Sequence, residues 1–437
     1  MMTTSELQKR RFRPAVEQLE CRAVPAMTTW KGGVDLIKPK DWGTAANWSN
    51  GLPDANKGAN FDGGISQNPV EITVAVSCNS IQVQSNYNQG SITIKDNGTL
   101  TVTNGGDIES GPITQSGQSN FIEVSGGTLT WGGGAINPNG GTMSDLIIDR
   151  NATLTIQGTD TNQRLLGDEL QNYGTVKYSA TGGMLLGNGG GITNYLTGDF
   201  QVQNHAPVTI SPVVGSTAYI LNNGTFEKIT DTGEASFALP LVNEGNLNLH
   251  AGTLTFTGSY TVTEFTNTYK VSVYNEGGTM ALDKDTTLKG GARDGILQDA
   301  GTMEEVGNGI ADFVGGTYVN GGTITFGGIG LGRLDFLTSL YINGTTTLVV
   351  YYDSPTSTTD QLNAVDIHIG NDPNITNQTV LHVEFVNGEP PAVWANIMTT
   401  QNGIAGDFAT FHAYDDEGEV SFSHQKSGDS RDYAVSG

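Results

Sequence analysis

The sequence predicts an all-β chain wound as a right-handed parallel β-helix with a capped start and a β closing region. Three observations carry this. Short runs alternate apolar and polar residues, as at 71–76 and 91–95, which is the two-residue period of half-buried strands. A Gly-Thr pair followed by an apolar residue recurs at Gly98, Gly127, Gly174, Gly224, Gly252, Gly278 and Gly301, with less complete copies at Gly141, Gly322 and Gly344. Gly, Thr and Asn fill most windows, and no sustained 3.6-residue apolar period appears.

Composition bounds the rest. Hydrophobic residues make up 36% of 437, and with 60 Gly this is ordinary for a folded chain rather than a disordered one. Asp and Glu number 45 against 21 Lys and Arg, a net charge of -24. Nucleic acid is therefore an unsuitable partner, because phosphate binding needs clustered cations. The longest apolar run, 348–352, is far short of a membrane span, so no transmembrane segment is expected. Two cysteines, Cys21 and Cys78, make neither a disulfide framework nor a four-thiolate metal site.

Residues 1–27 read as a targeting or sorting segment, poorly ordered or a short helix. Lys9, Arg10, Arg11, Arg13 and Arg22 give its first 26 residues the opposite charge balance to the acidic body. Charged residues follow Pro14 where a secretory signal requires an apolar stretch, so a conventional signal peptide is unsupported. Arg10-Arg11-Phe12-Arg13-Pro14, followed by Leu19-Glu20-Cys21-Arg22-Ala23-Val24-Pro25-Ala26, resembles the N-terminal sorting motif of large planctomycete surface proteins. That resemblance implies a place outside the cytoplasm or at the envelope.

Residues 28–69 are expected to form the N-terminal cap and first coils. Trp30-Lys31-Gly32-Gly33, Trp42, 47–53 and 60–64 resemble the opening of bacterial extracellular β-helix proteins with autotransporter-type repeats. Trp30, Trp42 and Trp48 would shield the first coil from edge-to-edge pairing; a sugar-stacking platform is the alternative use of such rings.

Residues 70–329 hold the repeats. From Gly224 to Gly344 successive copies lie 28, 26, 23, 21 and 22 residues apart, the interval of one solenoid turn. About 11 to 13 coils over 70–345, at roughly 4.8 Å each, would give a rod of roughly 50 to 60 Å. Asn97, Gly126, Asn223, Gly277, Gly321 and Asn343 precede the pair and tolerate the positive φ that a tight turn demands. An antiparallel sandwich competes, since 92–102 also reads as a hairpin closed at 96–98. It would need renewed boundaries near each hundred residues, and none interrupts the stretch.

Residues 330–437 read as a C-terminal β region with an acidic tail. Asp360-Gln361-Leu362, Val365, Ile367, Ile369-Gly370, Trp394 and 403–408 are similar to the closing region of pertactin-like autotransporter passengers. Only 25 residues follow His412, too few for a translocator barrel, so self-transport is not expected.

Chemistry is sparse in the sequence. The histidines, at 205, 250, 368, 382, 412 and 424, show no metal-ligand spacing. Calcium repeats, nucleophile elbows and phosphate loops are absent. Asp145 and Asp149 share a strand face at about 13 Å, too far apart for a hydrolytic pair unless another coil contributes. Asp283 and Asp285 read as a solvated turn. The remaining acids, Asp199 and Asp335 among them, look thinly spread. No catalytic, cofactor-binding or metal residue and no cofactor is therefore nominated. The expected role is structural or adhesive at a cell surface, with a cell-wall or matrix glycan or a surface protein as partner. Cleavage of an extended glycan by a lyase or hydrolase is the alternative.

Overall fold

The computed structural model describes residues 26–436, leaving out 33–39, 137–143, 159–163, 290–294, 327–331, 371–376, 387–394, 427–431 and shorter breaks of up to four residues. The proposed sorting segment lies outside the described residues except for its last two, Ala26 and Met27. Among the described residues the chain is almost entirely strand, and its one helical element is a single 3-10 turn, Ala45–Asn47. No described helix is long and apolar enough to cross a membrane.

The strands stack in parallel register as a three-faced β-solenoid. Face one begins at Ala26–Thr29, continues through Lys57–Phe61 and Ile81–Val83, and ends at Thr410–Asp415; it holds sixteen parallel strands. Face two starts at Lys40–Asp41 and Val70–Ile72. Face three starts at Ala75–Cys78 and Thr99–Val102. The segments 92–95 and 99–102 fall on different faces and pair with different coils, so they are not a hairpin. Between Ile81–Val83 and Thr323–Phe326 face one contains eleven strands.

The alternation seen in the sequence becomes an inside and an outside. On face one, Leu129, Leu154, Val176, Phe200, Phe226, Leu247, Met280, Met303, Ile324 and Leu348 stack in one buried column. Each coil buries its apolar residues against the coils above and below, so the main core is one continuous cluster from Trp30 to Ala413, beside a small separate cluster of Val242, Val271, Tyr274 and Leu297. A neighbouring column admits two charged residues: Lys228 sits between Val202 and Leu249, and Glu305 between Leu282 and Phe326, both fully buried.

The corner between faces three and one explains the repeat. Asn172, Asn194, Asn222, Asn243 and Asn275 point inward, and each side-chain amide donates to the next oxygen at 2.7–2.8 Å. Gln298 extends this ladder at 3.3 Å. The amides also reach backbone carbonyls of the turn, such as Thr225 and Asn246, so buried backbone oxygens find donors without water. The glycine two or more residues later serves two purposes. Gly127 and Gly322 adopt φ of 68° and 81°, so the positive φ falls on the glycine of the Gly-Thr pair rather than on the residue before it. At Gly224 the backbone is ordinary, but a Cβ would lie 2.3 Å from the carbonyl oxygens of Gly198 and Tyr195. Close stacking of coils requires glycine there.

Both ends depart from the regular coil. Trp30, Trp42, Trp48, Phe61 and Tyr87 form a buried aromatic box with neighbouring ring centroids 4.9–5.6 Å apart. Trp30 Nε1 donates to the Asn68 carbonyl, Trp48 Nε1 to the Trp42 carbonyl, and the Tyr87 hydroxyl to the Asn68 carbonyl. Toward the other end, faces two and three merge into long strands, Arg333–Ile342, Gln361–Ile369 and Ala395–Gly406, which carry register shifts near Phe336 to Ser339 and Ala364 to Asp366. The last of them is covered along 395–399 by antiparallel Asp432–Ser436, itself paired with Ser423–Lys426.

Candidate functional site

The fold brings together carboxylates that are far apart in sequence. Asp199 lies on Asp199–Val202 and Glu227 on Thr225–Lys228, adjacent strands of face one. Both side chains are on the outer surface, where Lys177, Gln201 and Glu227 occupy one row in successive coils. Gln201 Nε2 donates to Asp199 Oδ2 at 2.6 Å, and Gln203 Nε2 to Gln201 Oε1 at 2.8 Å. Asp199 and Glu227 lie within reach of each other across the two coils. Burial raises the pKa of both; the Asp199 charge raises Glu227 further, and His250 and Lys177 pull in the opposite direction. His250 Nε2 stands 3.5 Å from Glu227 Oε2. The arrangement is a pair of neighbouring carboxyl groups flanked by Lys177 and His250.

A second pair lies on face three. Asp145 is in register with Glu169 of the next coil, so the companion that the Asp145 and Asp149 spacing lacked comes from 24 residues later. Burial and the Glu169 charge raise the Asp145 pKa. Glu169 accepts from the Thr193 hydroxyl. Beside them Tyr173 and Tyr195 stack at 4.1 Å and 6°, and burial, then Tyr173, push the Tyr195 phenol up to about 12.

The Asp199 and Glu227 pair does not have the geometry of glycoside hydrolysis. That reaction needs its two carboxyls about 5 to 10 Å apart, on either side of the sugar. Asp199 and Glu227 touch each other, and Asp145 and Glu169 stand side by side on neighbouring strands of one face. Both pairs can make polar contacts along a surface.

A cavity of about 500 Å³ lies where faces two and three merge, and is lined by Arg333, Asp335, Leu337, Asn363, Thr400 and Gln401 among others. Arg333 grips Asp335 with Nε at 2.6 Å and Nη2 at 2.5 Å, and Asn363 Nδ2 donates to Asp335 Oδ1 at 2.9 Å. A bidentate fork of this kind fixes both side chains.

Other residues singled out in the sequence fall elsewhere. Trp30, Trp42 and Trp48 are at most 2% exposed, so their ring faces are not available to a ligand. His368 bonds Asp366 at 2.9 Å and stacks on Tyr341, which stacks on Tyr318. His382 and His412 are in register on adjacent coils beside Tyr414. No group of three metal-ligating side chains occurs among the described residues. Cys78 is buried, and burial pushes its thiol up to about 12, which makes it an inert core residue. Cys21, His205 and Asp285 lie outside the described residues, as do the side chains of Asp283 and His424.

The Asp199–Glu227 contact could not be read from spacing, because coil lengths vary and a difference of 28 residues is not a fixed period. Arg333-x-Asp335 is an i, i+2 pair on one strand face, the spacing that allows such a fork, but in the sequence Asp335 reads only as one of several scattered acids. Comparison with family models, with curated proteins and with solved structures finds no match to this chain.

Proposed function

We propose that this chain is a structural and adhesive rod of a bacterial cell surface that contacts extended glycans and does not cleave them. One observation carries the reading: the outer row of face one repeats a hydroxyl from coil to coil. Thr128, Thr153 and Thr175 are followed, after Asp199, by Thr225, and after Asn246 by Thr279, Thr302, Thr323 and Thr347, all in register. A row of small polar groups at one coil spacing suits a partner that is itself a long polar repeat, and each contact is individually weak. The acidic surface keeps such rods apart from one another and from nucleic acid.

The N-terminal motif resemblance supports the cell-surface part, with residues 1–25 as the address. Deleting 1–25, which spares the first strand at Ala26, should change cellular location and leave the melting temperature unchanged. An unchanged location would contradict the address.

The glycan part is tested by sedimenting the protein with insoluble cellulose, chitin and peptidoglycan sacculi and assaying the supernatant for released oligosaccharides. Retention on at least one polymer without release is expected. Release that Asp199→Asn or Glu227→Gln abolishes would establish cleavage instead, and no retention on any polymer would end the glycan reading.

A further inference from the structure

We propose that the groove at the merger of faces two and three is a binding subsite for a neutral hexose unit of a glycan; this rests on the glycan-contact reading above. The groove exists because three consecutive coils break register at the same corner. Residues 337 and 338 of the first strand bulge opposite Val365 of the second, and 401 and 402 of the third bulge opposite the same residue. Stacked bulges open the side of the solenoid at this corner, which is a recurrent use of bulges beside binding sites.

The lining fits an uncharged polyhydroxyl ligand. Asp335 is nine-tenths buried, and the groups that bury it are its own partners, the Arg333 fork and the Asn363 amide. The fork uses Nε and Nη2 and leaves Nη1 as a donor held in place. Asn363 spends one amide hydrogen on Asp335 and keeps its Oδ1 as an acceptor; Gln361 and Gln401 add one acceptor and two donors each. Leu337, half exposed at 51%, supplies an apolar floor for the C–H face of a sugar ring. A cavity of about 500 Å³ is within the size range of small-ligand sites.

Charge selects the class. Arg333 is neutralised by Asp335 and also feels Asp312, and the whole chain carries -24. An anionic sugar would meet no uncompensated cation and an opposing field. A neutral sugar loses nothing to that field.

The test is titration calorimetry of the full chain with cellohexaose, mannohexaose, chitohexaose and hexagalacturonate. Binding of at least one neutral hexasaccharide is expected, with hexagalacturonate at least tenfold weaker. The surface double variant Leu337→Ala/Gln401→Ala should weaken the neutral ligand at least tenfold, while Leu196→Ala, an exposed apolar control on another part of the rod, should change it less than twofold. Equal affinity for hexagalacturonate would overturn the neutral class. Binding that ignores the groove variant would overturn the groove and leave the glycan-contact reading standing. Retention on a polymer in the sedimentation assay with no hexasaccharide bound here would do the same.

Discussion

At the scale of single residues, the buried amides hold the corner and the outer hydroxyls do not. Asn222 accepts from Asn194 and donates to Asn243 and to the Asn246 carbonyl. Asn222→Ala would strand groups on both neighbouring coils in a dry corner, and a loss of about 2 to 4 kcal/mol is expected. Thr175→Ala, on the outer row, should stay within about 0.5 kcal/mol. Urea midpoints of the two variants check the contrast; equal shifts would mean that the ladder is ornamental. The ladder was legible in principle. Asn172, Asn222 and Asn243 each stand two residues before a glycine, but an Asn-x-Gly run reads first as a turn, and only register shows that one asparagine of each turn faces inward. Lys228 and Glu305 were not legible, because alternation places them on the inward side only once the strand ends are known.

Asp360 gives the residue scale a pH signature. Its carboxyl is buried, accepts from the amides of Gly332 and Tyr351 at 3.0 and 2.9 Å, and is raised to about 7 chiefly by burial, with the Glu305 charge adding to the shift. The folded chain therefore keeps a proton that the unfolded chain has already released. Its contribution is fully present below the ordinary carboxylate range and is lost as pH rises toward about 7. Asp107, Asp145, Asp199, Glu227 and Glu304 are raised in the same direction. The melting temperature should fall between pH 5 and pH 8, and Glu305→Gln should reduce that fall. A melting temperature that rises over this interval would contradict the burial of these acids.

Elements differ in how much depends on them. A middle coil is flanked on both sides, but among the described residues the first coil has one neighbouring coil, and the box of Trp30, Trp42 and Trp48 packs there against Phe61. Trp48→Ala removes a fully buried indole in edge contact with three other rings. A cost of about 3 to 5 kcal/mol is expected, together with exposure of an unpaired strand edge. Calorimetric melting and size-exclusion chromatography would show a lowered transition and larger species. A monomeric variant melting within a degree or two of the parent would mean that the cap does not guard the edge. The cap was readable because three tryptophans before the first repeats have few other uses. The groove was not, since a bulge of one or two residues leaves the local alternation almost intact and shows itself only when three coils shift at one corner.

On the scale of the whole molecule, one rule repeated builds the rod: apolar residues inward, Asn and Gly at one corner, Thr outward. The recurrence of Gly-Thr in the twenties revealed that rule, because the close approach of backbones at the corner tolerates little other than glycine. Sixteen parallel strands on face one, at roughly 4.8 Å per step, set the first and last about 70 Å apart. A glycan-contacting surface rod requires that these coils form one uninterrupted stack in solution. Small-angle scattering measures this directly: a maximum dimension of about 80 to 90 Å with a rod-like cross-section is expected, whereas a compact particle under about 60 Å, the size of a globule of this length, would contradict the stack and the surface role built on it.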